Sequence, residues 1–116
     1  MVQAITVPDA YFETYRRSSD YIRQYTFPGG MLLSNAMIAE QARLAGLKVV
    51  DSFAFGRDYA RTCAQWDERF EGMSARIKRL GYDERFMRNW RYYLGACAGS
   101  FSVGQTDVVQ VELTHA

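Results

Sequence analysis

Tyr59 is the residue whose type and position first suggest chemistry. It opens an apolar series at helical spacing directly after Gly56-Arg57-Asp58. Its phenol therefore sits on a first helical turn, where backbone N–H groups lack intrahelical partners. A hydroxyl there can donate to a small anion or ligand, or it can be a core tyrosine satisfied by a backbone carbonyl. His115, the only histidine, lies next to the last residue with no second group to fix it for catalysis or metal binding. Cys63 and Cys97 are too few and too isolated for a disulfide framework or zinc site, and read as small buried hydrophobes. Asp67, Glu68 and Glu71, beside Arg61 and Arg69, read as ion pairs on a wet helix face. Phe27-Pro28-Gly29-Gly30 reads as a turn. The chain contains no P-loop, no Gly-x-Gly-x-x-Gly and no Cys-x-x-Cys.

The elements that must position these residues alternate in type. Val2 to Val7 alternates apolar and polar residues and stops at Pro8-Asp9, which predicts a strand ended by a turn. A short helix is expected after Ser18 or Ser19. Ser34 is a good N-cap for a helix through Ala45, with Gly46 as its stop. Leu47 to Phe53 is short and rich in β-branched and aromatic residues, a second strand. Tyr59, Cys63, Trp66, Phe70, Met73, Ile77 and Leu80 then form one continuous apolar stripe, predicting a single long helix ended by Gly81. Asp83 caps a further helix whose stripe runs from Phe86 through Trp90, Tyr93, Leu94 and Cys97 to Phe101. The two helices make an arm that packs inside a globular domain rather than as a coiled coil. Asp107 to Leu113 is the last strand.

Length and charge narrow the functional classes. A chain of 116 residues, 48% hydrophobic and 15% aromatic, is one small ordered domain over residues 1–116. Its formal net charge of +1 gives no overall attraction to nucleic acid or a membrane surface. The local basic spots, Arg16-Arg17 and Arg76, Lys78, Arg79, read as solvated helix faces. No apolar run approaches the ~20 residues that span a bilayer, and the opening residues lack a signal-peptide pattern. The expected location is cytoplasmic, with peripheral contact at the membrane.

Several phrases, in order, carry a family resemblance. They are Gln3-Ala4-Ile5-Thr6, Tyr15-Arg16-Arg17-Ser18, Tyr25 through Gly30, Gly56 through Thr62, Trp66 through Phe70, Gly81 through Phe86, Trp90 through Gly99, and Asp107 through Val111. Together they resemble the cyclopropane-fatty-acyl-phospholipid synthase and mycolic acid cyclopropane synthase family, over nearly the whole chain. The resemblance implies an α/β fold, the C-terminal part of a class I (Rossmann-like) methyltransferase. It implies three strands with a long two-helix arm in an incomplete sheet, the last strand antiparallel between the other two.

The same resemblance implies transfer of a methylene or methyl group from S-adenosylmethionine to unsaturated acyl chains of phospholipids, with bound bicarbonate as the proton acceptor. Tyr59 aligns with the bicarbonate-contacting tyrosine, and Ile5 with a residue whose backbone contacts the same ion. Gln3 falls where many members have a histidine ligand, and Leu33 replaces a usual proline. The glycine-rich cofactor loop of the family has no counterpart among these residues. Neither S-adenosylmethionine binding nor turnover is therefore expected of the chain alone. The partner expected for its open sheet edge is a second copy or a separate N-terminal half, and the alternative function is that of a non-catalytic interaction module.

Overall fold

In the computed structural model, which describes residues 1–116, three strands form one sheet. β1 spans Val2–Thr6, β2 Leu47–Ala54 and β3 Asp107–His115, in the order β1-β3-β2. β3 is antiparallel to both neighbours, with Ile5 opposite Val108, Gln3 opposite Gln110 and Ala54 opposite Val109. The centre of β3 reads Val108-Val109-Gln110-Val111 because it is covered on both faces, and all three valines are buried. The expected antiparallel insertion of the last strand is thus present.

Five α-helices accompany the sheet: α1 (Asp9–Arg17), α2 (Asn35–Leu44), α3 (Gly56–Gly72), α4 (Ser74–Arg79) and α5 (Glu84–Val103). The caps are those the sequence suggests. Ser34 Oγ accepts from the Met37 N–H at 3.1 Å, and Asp83 Oδ1 from the Phe86 N–H at 2.9 Å. Gly46 and Gly104 end α2 and α5 with φ of 76° and 79°.

Three expectations need correction. Pro8-Asp9 starts α1 instead of a turn: proline lacks the N–H that a helix start leaves unpaired anyway, and the Asp9 carboxylate reaches across to the Ala36 N–H at 2.9 Å. The short helix expected after Ser18 or Ser19 is present over Ile22–Thr26 but is wound as one wide turn, with the Phe27 N–H bonding the Ile22 carbonyl at 2.8 Å. The long helix is broken at Met73, between α3 and α4, because Gly72 and Ser74 lower helix propensity on either side of it.

The core is divided and thin. One cluster joins Ala60, Cys63, Phe101 and Val108, with Ile5, Phe55, Tyr59, Cys97 and Ala98 packed on it. A second joins Val7, Phe12 and Tyr15 with Leu32 and Met37. The expected globular packing of the stripe fails at its far end, where Trp66, Met73 and Leu80 are exposed. The radius of gyration is 16.5 Å, against about 13 Å expected for a compact domain of this length. The accessible surface is 7912 Å², about 1,500 Å² above the scaling expected for its mass. Val50 and Phe53 of β2 contribute to that excess, both half or more exposed.

Candidate functional site

Gly56 fixes the start of α3, and hence Tyr59. A Cβ on residue 56 would lie 2.4 Å from Asp107 Oδ1, so only glycine lets the helix start this close to β3. The Asp107 carboxylate uses the approach, accepting from the Gly56 N–H at 2.8 Å and from its neighbour Val108 N–H at 2.9 Å. The helix entrance is therefore tied to the central strand. One turn on, the Tyr59 ring packs edge-on against Phe55, Trp66 and Phe101, with centroids 6.3, 5.7 and 5.2 Å away. Burial pushes the Tyr59 phenol above its ordinary range, with the Cys63 and Cys97 thiols adding to the shift. At neutral pH it is a donor and not a base.

Ile5 reaches the same cluster from β1, opposite Val108. The structure thus brings Tyr59 and Ile5 to one core. Gln3 is not part of it: it is exposed on β1, and its Oε1 accepts from Gln110 Nε2 at 3.0 Å. The Leu33 carbonyl accepts from the Val7 N–H at 2.8 Å, a bond that a proline at position 33 would equally make, so the substitution leaves this tie intact.

Beside this cluster lies a cavity of about 680 Å³, walled by Ile5, Val7, Phe27, Tyr93, Cys97 and Phe101 among others. Roughly 300–1,000 Å³ is usual for a small-molecule site. The Phe-Pro-Gly-Gly turn is more than a connector: Phe27 packs on Tyr93 at 5.3 Å, and Phe27, Gly30, Met31 and Leu32 form one side of the cavity. Tyr15 holds that turn by accepting the Leu32 N–H at 2.8 Å. Trp66 and Trp90 do not line it.

The cavity wall is uncharged apart from one pair. Burial drives the Tyr93 phenol far above its ordinary range, with Cys97 beside it contributing. It also raises the Cys97 thiol, while Tyr93 pulls that thiol partly back. Arg23 and Asp20, also on the wall, form an ion pair at 3.0 Å. The Arg23 guanidinium sits 4.0 Å over the Tyr15 ring and donates to the Tyr15 carbonyl at 2.7 Å, so its charge is spent within the protein. Sequence reading missed Tyr15, Arg23 and Tyr93 as site residues. The signal was available in the aromatic density of Tyr11 to Tyr25, but with α1 unrecognised it had no face to point to. Cys97, read as a buried hydrophobe, is half-buried at the wall.

The carboxylates of α3 also differ from expectation. Glu71 pairs with Arg91 of α5, not with Arg69, and neither Asp67 nor Glu68 makes an ion pair. One Asp67 oxygen is buried without a hydrogen-bond partner. No group of three or more His, Cys, Asp or Glu residues is arranged to hold a metal.

Residues 1–111 match the family described as mycolic acid cyclopropane synthetase. The chain belongs to this family. Among curated relatives, it is 37% identical over 110 residues to the tuberculostearic acid methyltransferase UfaA1 of Mycobacterium tuberculosis, covering 94% of this chain and 26% of that protein. It is 38% identical over 91 residues to the cyclopropane-fatty-acyl-phospholipid synthase of Escherichia coli, covering 78% and 23%. The structure of mycolic acid cyclopropane synthase CmaA1 complexed with SAH and CTAB superposes with a TM-score of 0.83 at 28% identity, over 96% of this chain and 42% of that one. The chain thus spans about a quarter of the length of these curated relatives. Its three strands and two-helix arm are part of the α/β methyltransferase fold of the cyclopropane synthases.

The residues present do not fit an adenosyl cofactor. Strands pass into helices at Val7-Pro8 and at Phe55-Gly56, and neither junction is a glycine-rich loop. The glycine at 56 is filled by Asp107, leaving no open cradle of backbone N–H groups.

Proposed function

We propose that this chain is the acyl-binding part of an S-adenosylmethionine-dependent transferase that places a methylene or methyl group on unsaturated acyl chains of lipids. The cavity carries this reading: its walls are largely apolar and its Tyr93 phenol and Cys97 thiol are held neutral, which suits a hydrocarbon chain and disfavours an anion within it. Tyr59 is assigned the role of hydrogen-bond donor to bicarbonate, with the backbone of Ile5 beside it. Gln3 is the weakest of the three proposed contacts, since its amide is engaged by Gln110. On this reading the chain alone holds no S-adenosylmethionine and turns nothing over.

Two titrations test the proposal. A cis-unsaturated fatty acid should quench or shift tryptophan emission and saturate at one equivalent, because Phe27 of the cavity wall abuts Trp90 at 6.3 Å. Calorimetry with S-adenosylmethionine should give no stoichiometric heat. Absence of any fatty-acid response, or stoichiometric cofactor binding, would overturn the assignment.

A second reading is favoured by the surface excess. About 800 Å² per partner makes an ordinary stable interface, and this chain exposes more than that beyond a compact domain of its mass. β1 pairs along one side only, apart from a bridge between Thr6 and Leu33. A non-catalytic module that dimerises, or that complements a separate N-terminal half, would cover this edge and the β2 face. A monodisperse monomer throughout a dilution series of size-exclusion runs would remove it.

A further inference from the structure

Charge is segregated along the chain, and its positive part gathers at the end of the helical arm. Between Met73 and Tyr92 there are six Lys or Arg residues and two acidic ones, against eight basic and eleven acidic in the remainder. The near-neutral total therefore conceals a basic tip on an otherwise acidic body. Lys78 is paired with Glu84 at 2.8 Å, and Arg91 with Glu71 and Glu84, which staples α3, α4 and α5 together. Arg76, Arg79, Arg85 and Arg88 are exposed and have no acidic partner.

The apolar residues of this tip face outward as well. Met73, Ile77 and Leu80 continue the α3 stripe through α4, with Met73 and Leu80 exposed and Ile77 half-buried between them. Met73 is 43% exposed and Leu80 71% exposed. Tyr82, in the α4–α5 connection, is 49% exposed and stacks on Phe86 at 4.4 Å. Arg85 and Phe86 share a small cavity with Tyr21, Tyr25 and Asn89. Protruding aliphatic and aromatic side chains ringed by unpaired arginines form the pattern that inserts at a lipid headgroup boundary. A site for a folded protein partner would more often place its apolar residues centrally and its charges in compensated pairs.

We propose that the tip formed by α4, the Leu80–Asp83 connection and the first turns of α5 docks on an anionic lipid surface. Arg76, Arg79 and Arg88 supply the attraction, and Leu80 and Tyr82 enter the headgroup layer. The inference goes beyond the acyl-binding reading and does not depend on what the cavity holds.

Vesicle co-sedimentation tests it, with vesicles of equal parts phosphatidylglycerol and phosphatidylcholine compared with phosphatidylcholine alone. The chain should bind the anionic vesicles, bind the neutral ones far more weakly, and release as ionic strength rises. The triple variant R76Q/R79Q/R88Q should lose about 100-fold in affinity, from roughly five-fold per charge near an anionic surface. L80S should lose about ten-fold with the salt dependence retained. These four side chains are exposed, so circular dichroism of each variant should match the parent. Equal binding to neutral vesicles, or a triple variant that binds like the parent, would overturn the proposal. So would retention on heparin, abolished by the triple variant, without vesicle binding, which would mark a nucleic-acid or polyanion site.

Discussion

The sharpest test of how α3 is anchored is Gly56→Ala. Considered locally, the change should help: position 56 is the first residue of a helix, its φ is not positive, and alanine exceeds glycine in helix propensity by about 1 kcal/mol. The tertiary contacts reverse the sign. The new methyl would sit 2.4 Å from Asp107 Oδ1 and 3.0 Å from Asp107 Cα, and the latter cannot be relieved by turning a side chain. The helix entrance must move away from β3, which breaks the 2.8 Å bond from the Gly56 N–H to the carboxylate. A hydrogen bond to a charged group contributes about 1.5–3 kcal/mol. Set against the propensity gain, and with the displaced packing added, the net loss is about 2 kcal/mol.

Urea denaturation followed by circular dichroism reads this as a fall in midpoint of about 1 M, for a slope typical of small domains. Asp107→Ala should lose a similar amount, because it strips the acceptor from both Gly56 and Val108. The double variant should cost at least about 1 kcal/mol less than the sum, since the clash and the hydrogen bond share one carboxylate. A neutral or stabilising Gly56→Ala, or strict additivity in the cycle, would refute the account of how Tyr59 is positioned.

Other outcomes follow from burial and capping. The Cys63 thiol is 2% exposed and burial pushes its pKa up to about 11. Because the folded value is raised above the ordinary thiol value of about 8.5, its contribution to stability is full below that pH and is lost as pH rises toward 11. Urea midpoints should hold from pH 6 to 8 and fall by pH 10.5, with a smaller fall in Cys63→Ala. Phe101→Ala empties the centre of the main cluster at a cost of about 3–5 kcal/mol, which in so thin a core should abolish the near-ultraviolet aromatic signal. Asp83→Ala removes the α5 cap and should cost about 1 kcal/mol with no change in the cavity.

Legibility of the fold followed the range of the interactions involved. Ser34 and Asp83 cap their helices through bonds three residues long, and both were visible as residue types in place. Both outer strands and the final strand were found, because alternation and β-branching mark them locally. α1 was missed because Pro8 both ends a strand and opens a helix, and the deciding contact, Asp9 to Ala36, spans 27 residues. The stripe from Tyr59 to Leu80 misled at its end, since periodicity shows which residues share a face but not whether anything covers it. At the candidate site, the place of Tyr59 on the first turn of its helix was legible from the sequence, whereas its packing with Ile5 on one cluster was not. The cavity was not, because its walls come from β1, the 27–32 turn and α5, segments that only the folded chain brings together.

The titratable groups around Tyr59 constrain what this part of the molecule can contribute. Tyr59, Tyr93, Cys63 and Cys97 are all shifted toward their neutral forms, and Asp20 is paired with Arg23. These phenols and thiols are donors at neutral pH, which agrees with the proposed role of Tyr59 as a hydrogen-bond donor and not a base. Tyr59 is not on the cavity wall, so the two proposed duties can be separated. Tyr59→Phe keeps the ring contacts with Phe55, Trp66 and Phe101 and removes only the hydroxyl, which makes no hydrogen bond within the chain. Fatty-acid affinity should stay within about two-fold, while bicarbonate-dependent shifts of the neighbouring aromatic NMR signals should disappear, as expected for the loss of a single donor to a small anion. A variant that loses fatty-acid binding yet keeps the bicarbonate response would reverse the assignment, making Tyr59 part of the acyl wall and leaving the anion to other donors.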